Sequence, residues 1–324
     1  MNFVLDRAPE QLRAGRMCPA DYRYSPRVFD RPADLAADIL YVVGGLYGNL
    51  AALDVVERLA SEEKSDVTIV FNGDFHWFDA EPDWFSDIDR RVGAHVAIRG
   101  NVETEIARGD DIGAGCGCAY PDTVDDGIVN RSNLILYDLR RVAGDVPGAR
   151  ARFHALPMHL VAKVGDANVA IVHGDAWSLA GWNFSHDALD NADHRPRLER
   201  LRHDATIDIF ASTHTCLAAL RNFSTPDGDL TVINNGAAGM PNFRDSNFGL
   251  MTRIATRPSP HLRLYGSVQG GAHIDAIPLE YDNALFLKRF LDRWPDGSAA
   301  HDSYFGRIAA GPNYGVEQAM PRAV

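Results

Sequence analysis

Apolar positions along the chain fall into short blocks that stop abruptly at polar, turn-forming residues. Residues 39–43 are continuously apolar and end at Gly44-Gly45, the pattern of a buried strand running into a loop. After Gly48-Asn49 the spacing changes: Leu53, Val56, Leu59 and Ala60 recur at helical intervals, with Asn49 placed to cap the helix. The strand-and-loop grammar then returns. Residues 67–71 run into Asn72-Gly73-Asp74, 95–98 into Gly100-Asn101, and 169–172 into His173-Gly174-Asp175. Residues 207–210 lead to Thr213-His214-Thr215, and 230–233 to Asn234-Asn235-Gly236. Ligand sites in α/β sheets form where loops converge at the carboxyl ends of strands, so the pattern predicts one site assembled from distant segments.

Two stretches interrupt this grammar. Residues 103–167 read as a mostly helical insertion and 177–203 as a polar, histidine-rich segment, and together they are the expected walls of a substrate pocket. Residues 248–281 alternate in short runs separated by Pro, Gly and Ser, as antiparallel strands do, and 283–294 turn helical. There is no internal repeat, low-complexity tract or visible boundary. The expectation is one domain over 1–324, with an N-terminal extension at 1–37, the helical insertion at 103–167, C-terminal strands and helix at 248–294, and weak structure only at the two termini.

Composition narrows the class of protein. With 46% hydrophobic and 23% charged residues among 324, the chain has ordinary globular composition. Its apolar runs are far shorter than the roughly 20 residues of a membrane-spanning helix, so no membrane association is expected. The N-terminus mixes charges and prolines rather than forming a secretory signal, which predicts a cytoplasmic protein. Four cysteines are too few for a disulfide scaffold. A formal charge of −12 argues against a general nucleic-acid partner, but not against a small anion drawn to a bound metal. Oligomeric state leaves no trace in the sequence.

Taken in order, GGLYGNLAAL, NGDFHW, RGNVETE, IVHGD, STHTC and INNGAAGMP resemble the successive blocks of the calcineurin-like metallophosphoesterases, over residues 40–241. The resemblance implies a four-layer α/β/β/α sandwich of two mixed sheets. It also implies hydrolysis of a phosphomonoester or phosphodiester by metal-activated water, with a small phosphorylated molecule as substrate. By position, Asp74, Asn101, His173 and His214 match the ligands of one metal. A carboxylate, an amide oxygen and two imidazoles suit a divalent Mn, Fe or Zn.

The other half of that family's two-metal site departs from the pattern. Where the family carries Asp and His in its first block and a second His in its fifth, this chain has Gly45, Tyr47 and Cys216, and a frequent family histidine is Val102. About one metal per chain is therefore expected. One metal can still act as a Lewis acid and acidify water, whereas two clamp both the attacking and the leaving oxygen. A base would come from near the altered half, and His76, Glu103 and Asp175 are the catalytic candidates by adjacency, with Tyr47 also within reach of the same argument. His76 between Phe75 and Trp77 reads equally well as a packing residue, and Glu103 better as a supporting group. The Cys116-Gly117-Cys118 pair lacks the second knuckle of a zinc site, though one thiol joining Cys216 would make a sulfur-rich substitute. His186, His194 and His203 read as solvated or capping residues, and Asn235, Gly236 and Ala237 as turn support. The rival readings are a protein that binds a phosphorylated ligand or partner without turnover, and a single Fe or Mn engaged in different chemistry.

Overall fold

The computed structural model describes residues 14–110 and 112–323. Two 3-10 turns (Ala20–Tyr22 and Pro26–Phe29) precede β1 (Leu35–Ala36), β2 (Ile39–Val43), α1 (Leu50–Ser61), β3 (Val67–Asn72), α2 (Pro82–Val92), β4 (Val96–Ile98) and α3 (Asn101–Ala107). There follow α4 (Asp126–Asp145), α5 (Ala149–Ala155), β5 (His159–Val164), β6 (Ala167–Val172), α6 (His186–Asp190), α7 (Arg195–Asp204), β7 (Ile209–Ser212), β8 (Ala219–Thr225) and β9 (Gly228–Asn234). The chain closes with β10 (Gly249–Ala255), β11 (Tyr265–Gln269), β12 (Ala272–Leu279), α8 (Asn283–Arg293), α9 (Ala299–Ala310), α10 (Val316–Ala319) and β13 (Arg322–Ala323).

The strands form two mixed sheets, one of six in the order β11-β12-β10-β2-β3-β4 and one of seven in the order β1-β5-β6-β7-β9-β8-β13. Strand parity explains the layering. Along β2, Leu40 and Val42 face the second sheet, packing with Val169, Ile171, Ile209 and Ile233, while Tyr41 and Val43 face the helices. Continuous apolar runs on both central strands are what a sheet buried on both faces requires. On the outer face of the first sheet, α1, α2, α4 and α8 contribute Leu53, Trp84, Ile135 and Phe290. On the outer face of the second, Leu198 and Leu201 of α7 pack with Phe210 and Val232. This is the four-layer α/β/β/α sandwich.

In each sheet a parallel core points its carboxyl ends the same way: β2, β3 and β4 in one, β6, β7 and β9 in the other. The sheets come close there. The Asn72 amide donates to the Val172 carbonyl at 3.0 Å, and a side chain at Gly44 would fall 2.3 Å from Asn72 Oδ1 and 2.5 Å from Thr213 Cβ. Only glycine permits this approach.

Three expectations need correction. Residues 103–167 are not helical to their end, because His159–Val164 forms β5, paired antiparallel with β6. Its Val161 and Ala162 face opposite layers, as a doubly buried strand demands. The N-terminal residues described are not loose either. Tyr22 is fully buried and donates to Glu105 at 2.7 Å, Tyr24 donates to the Asp175 carbonyl at 2.7 Å, and the Leu179 amide donates back to the Tyr22 carbonyl at 3.0 Å. Residues 1–13 of the expected extension lie outside the described residues. At the other end, α9 follows α8 with Ser298 as N-cap and packs on α4, and β13 adds a parallel edge to β8. No helix among the described residues is long and apolar enough to cross a membrane.

Candidate metal centre and its pocket

The loops that close the parallel strands bring Asp74, Asn101, His173 and His214 together. All four are buried, and the ligand atoms of Asp74, His173 and His214 lie within 4.8 Å of one another. His173 Nε2 is 3.0 Å from Asn101 Oδ1, 3.1 Å from His214 Nδ1 and 3.3 Å from Asp74 Oδ2.

Outward hydrogen bonds fix what each group presents inward. His173 Nδ1 faces the Asn72 carbonyl at 2.9 Å, and His214 Nε2 faces the Cys118 carbonyl at 3.1 Å. A carbonyl only accepts, so each of those ring nitrogens carries a proton, and in the neutral ring the opposite nitrogen is a bare lone pair. Asn101 Nδ2 donates to the Cys116 carbonyl at 2.9 Å, which turns Oδ1 inward. Asp74 Oδ1 is occupied by the Val102 amide at 3.1 Å, leaving Oδ2 for the centre. With both rings neutral, four lone-pair atoms converge with no donor among them. A buried set of acceptors is costly unless a cation sits between them. Orientation of metal-binding imidazoles by outer carbonyls is the usual arrangement in metal sites, and the mixed oxygen and nitrogen set fits Mn, Fe or Zn.

Electrostatics separate the two imidazoles. Burial pushes the His214 pKa down to about 3, helped by the neighbouring His173 charge, so His214 is neutral and free to ligate. Burial also opposes protonation of His173, but the Asp74 carboxylate outweighs it and raises the His173 pKa. Without a metal ion, a proton at His173 is the remaining way to balance Asp74.

Backbone strain collects at the same place. Of the five non-glycine residues with positive φ among the described residues, Tyr47, Asp74 and Cys216 sit in the site loops and Ala119 lies between two pocket residues. Such conformations cost about 1–3 kcal/mol each and persist where surrounding structure enforces them, commonly at functional sites.

The three catalytic candidates chosen by adjacency turn away from the pocket. The His76 ring is fully buried, stacked on Phe85 at 3.8 Å between centroids, with Nδ1 against Asp79. Asp175 organises its own loop, accepting from the amides of Trp177, Ser178 and Asn183 at 2.8 to 3.0 Å; burial pushes its pKa up and these bonds oppose the rise. Glu103 is buried too. It accepts from the amides of Asp74, Phe75 and Gly100 at 2.8 to 3.1 Å, with a longer contact at 3.5 Å to His76, and so ties the loop after β3 to the start of α3.

In the altered half, Tyr47 and Cys216 face each other, oxygen to sulfur at 2.8 Å. Burial pushes both pKa values up, so both groups are protonated, and each feels the Asp74 charge on one side and the Arg307 charge on the other. The Tyr47 ring covers Gly45: a Cβ there would lie 2.9 to 3.0 Å from ring atoms, at a φ of +62°. A Gly45→Asp variant should therefore lose about 1–3 kcal/mol of stability in urea unfolding, and a Tyr47→Ala partner should recover the steric part of that loss.

A cavity of about 180 Å³ opens beside the centre, with Asp74, Asn101, His214 and the Tyr47 and Cys216 pair at its base. Cys118, Tyr120 and Trp182 come from the two stretches expected to be walls, while Trp77, Tyr304 and Arg307 were not foreseen. Tyr304 and Arg307 lie three apart on α9, a helical spacing behind the Ser298 cap. Cys118 reaches the cavity, whereas Cys116 is buried and burial pushes the Cys118 thiol well up. His186, His194 and His203 do not line it.

No family model matches this chain, and no curated protein matches it. Among solved structures, a hypothetical protein from Pyrococcus horikoshii OT3 matches with a TM-score of 0.55 at 16% identity, over 85% of this chain and 99% of that one. A metallophosphoesterase from Sphaerobacter thermophilus matches with a TM-score of 0.49 at 14% identity, over 85% of this chain and all of that one. At these identities the likeness is one of fold. The shared fold is the two-sheet sandwich described above, and here it carries a cluster of Asp74, His173 and His214 whose ligand atoms are close enough to take a metal ion.

Proposed function

We propose that this chain is a metal-dependent phosphoesterase working on a small phosphomonoester or phosphodiester, with one divalent ion held by Asp74, Asn101, His173 and His214. The observation that carries the proposal is the inward convergence of four groups whose outer hydrogen bonds turn an oxygen or ring nitrogen toward one point, each able to ligate when the imidazoles are neutral. A divalent ion held there supplies Lewis-acid charge to an ester phosphate and acidifies water. The chain's own residues hold that centre in place, keep bulk water out with an aromatic wall, and limit the ligand to a cavity of about 180 Å³.

A second reading, binding of a phosphorylated ligand without turnover, draws on a specific feature. Among the described residues, the cavity lining holds no carboxylate besides Asp74 and no histidine besides His214, so proton transfer falls to phenols and two thiols held protonated by burial. Hydrolysis of p-nitrophenyl phosphate and bis-p-nitrophenyl phosphate by Mn-, Fe- and Zn-loaded protein separates the two. Turnover that disappears in His173→Ala is expected. Stoichiometric metal with no turnover of either ester in any of the three forms would favour binding alone.

A further inference from the structure

Several half-buried arginines, Arg99, Arg289 and Arg307 among them, have no carboxylate partner among the described residues, and of these three Arg307 alone lines the cavity. Arg91, Arg108, Arg221, Arg253 and Arg293 are each paired with a carboxylate. Arg307 is half-buried, lines the cavity, and has no carboxylate within ion-pair distance among the described residues. Its guanidinium is nonetheless held in place: Nη2 donates to the Cys216 carbonyl at 2.6 Å and Nε to the Pro241 carbonyl at 3.3 Å. Those carbonyls orient the fork without neutralising it, and Nη1 has no hydrogen-bond partner among the described residues. It is the one permanently cationic side chain in the described lining, in a chain of formal charge −12. Desolvating an unpaired guanidinium is costly, so a pocket that keeps one oriented is built for an anion.

The surroundings define which anion. Arg307 and the metal-ligand cluster border the same cavity, with Tyr47 and Cys216 between them. Trp77, Tyr120, Trp182 and Tyr304 supply the rest of the wall, and Trp182 is fixed edge-on to His214 at 5.5 Å with its indole N–H on the Cys118 carbonyl. We infer that Arg307 is the substrate-binding residue that takes a phosphoryl oxygen on its free edge, and that the substrate is a compact phosphate ester whose organic part is planar or apolar and lies against the aromatic wall. This assignment rests on the phosphoesterase reading and specifies how that site selects its substrate. An arginine fork suits two oxygens of one phosphoryl group in a way a lysine does not.

Calorimetric titration with inorganic phosphate tests it without requiring turnover. Metal-replete wild-type protein is expected to bind phosphate, and Arg307→Gln to bind it at least ~10-fold more weakly, with metal content and melting temperature unchanged. Phosphate affinity in Arg307→Gln equal to wild type would overturn the assignment, as would failure of wild-type protein to bind phosphate at 10 mM. If Arg307→Gln loses its cooperative melt, Arg307→Lys decides: its charge is kept and its fork is lost, so weaker binding supports the assignment and wild-type affinity overturns it. Hydrolysis without Arg307-dependent phosphate binding would remove the Arg307 assignment and leave the phosphoesterase reading standing. Arg307-dependent binding without hydrolysis would do the reverse.

Discussion

Asp74→Ala protein should lose its metal, while wild-type protein purified without chelators carries about one transition-metal ion per chain by elemental analysis. Removing an outer hydrogen-bond partner of a metal ligand typically weakens affinity 10–100-fold, so removing the sole carboxylate of the set should exceed about 100-fold. Asp74 has two duties, since Oδ1 receives the Val102 amide and Oδ2 faces His173. Alanine removes both, and hydrolytic activity should go with the metal. Two ions per wild-type chain would mean that Tyr47, Cys216 or neighbouring groups hold a second ion, and none would remove the metal from the proposal.

The second large effect is expected far from any reacting atom. Glu103→Ala should destabilise the fold by about 3–5 kcal/mol in urea unfolding, because three buried backbone N–H groups lose their acceptor and each unsatisfied donor costs about 1–3 kcal/mol, partly recovered by relaxation. The three belong to Asp74, Phe75 and Gly100, which form the loop that holds Asp74 and the turn that starts the helix bearing Asn101. Metal affinity should therefore fall together with stability. Glu103→Gln keeps one acceptor oxygen and should fall between alanine and wild type in both measurements.

The parts of this site that were legible in the sequence share one property: they are local. Asp74, Asn101, His173 and His214 each lie within three residues of the end of an apolar strand, so backbone pattern alone sets them at the carboxyl ends of two sheets. Side-chain direction is not local in that sense. His76 and Asp175 sit within two residues of ligands, yet one ring enters a cluster of phenylalanines and the other carboxylate turns back to cap residues 177–183. Adjacency could not distinguish these outcomes, because both are decided by partners brought in by folding. The same holds for β8. Its Arg221 is fully buried because Asp190 and the carbonyls of residues 318 and 320, all distant in sequence, receive it. α9 was overlooked for another reason. Gly306 and a mixed polar composition weaken its helical pattern, and tertiary packing on α4 supplies what propensity does not.

The contacts of Tyr22 and Tyr24 give the pocket an unexpected dependence. Residues 175–183 carry Trp182 to the cavity wall, and their backbone is stitched to the amino-terminal arm through Tyr24 and Leu179. The Tyr24 hydroxyl reaches across 151 positions of sequence to do so. These bonds tie the loop that presents Trp182 to the arm, beside the bond its indole makes to the Cys118 carbonyl. The placement of the wall thus depends in part on Tyr22 and Tyr24, neither of which lines the cavity.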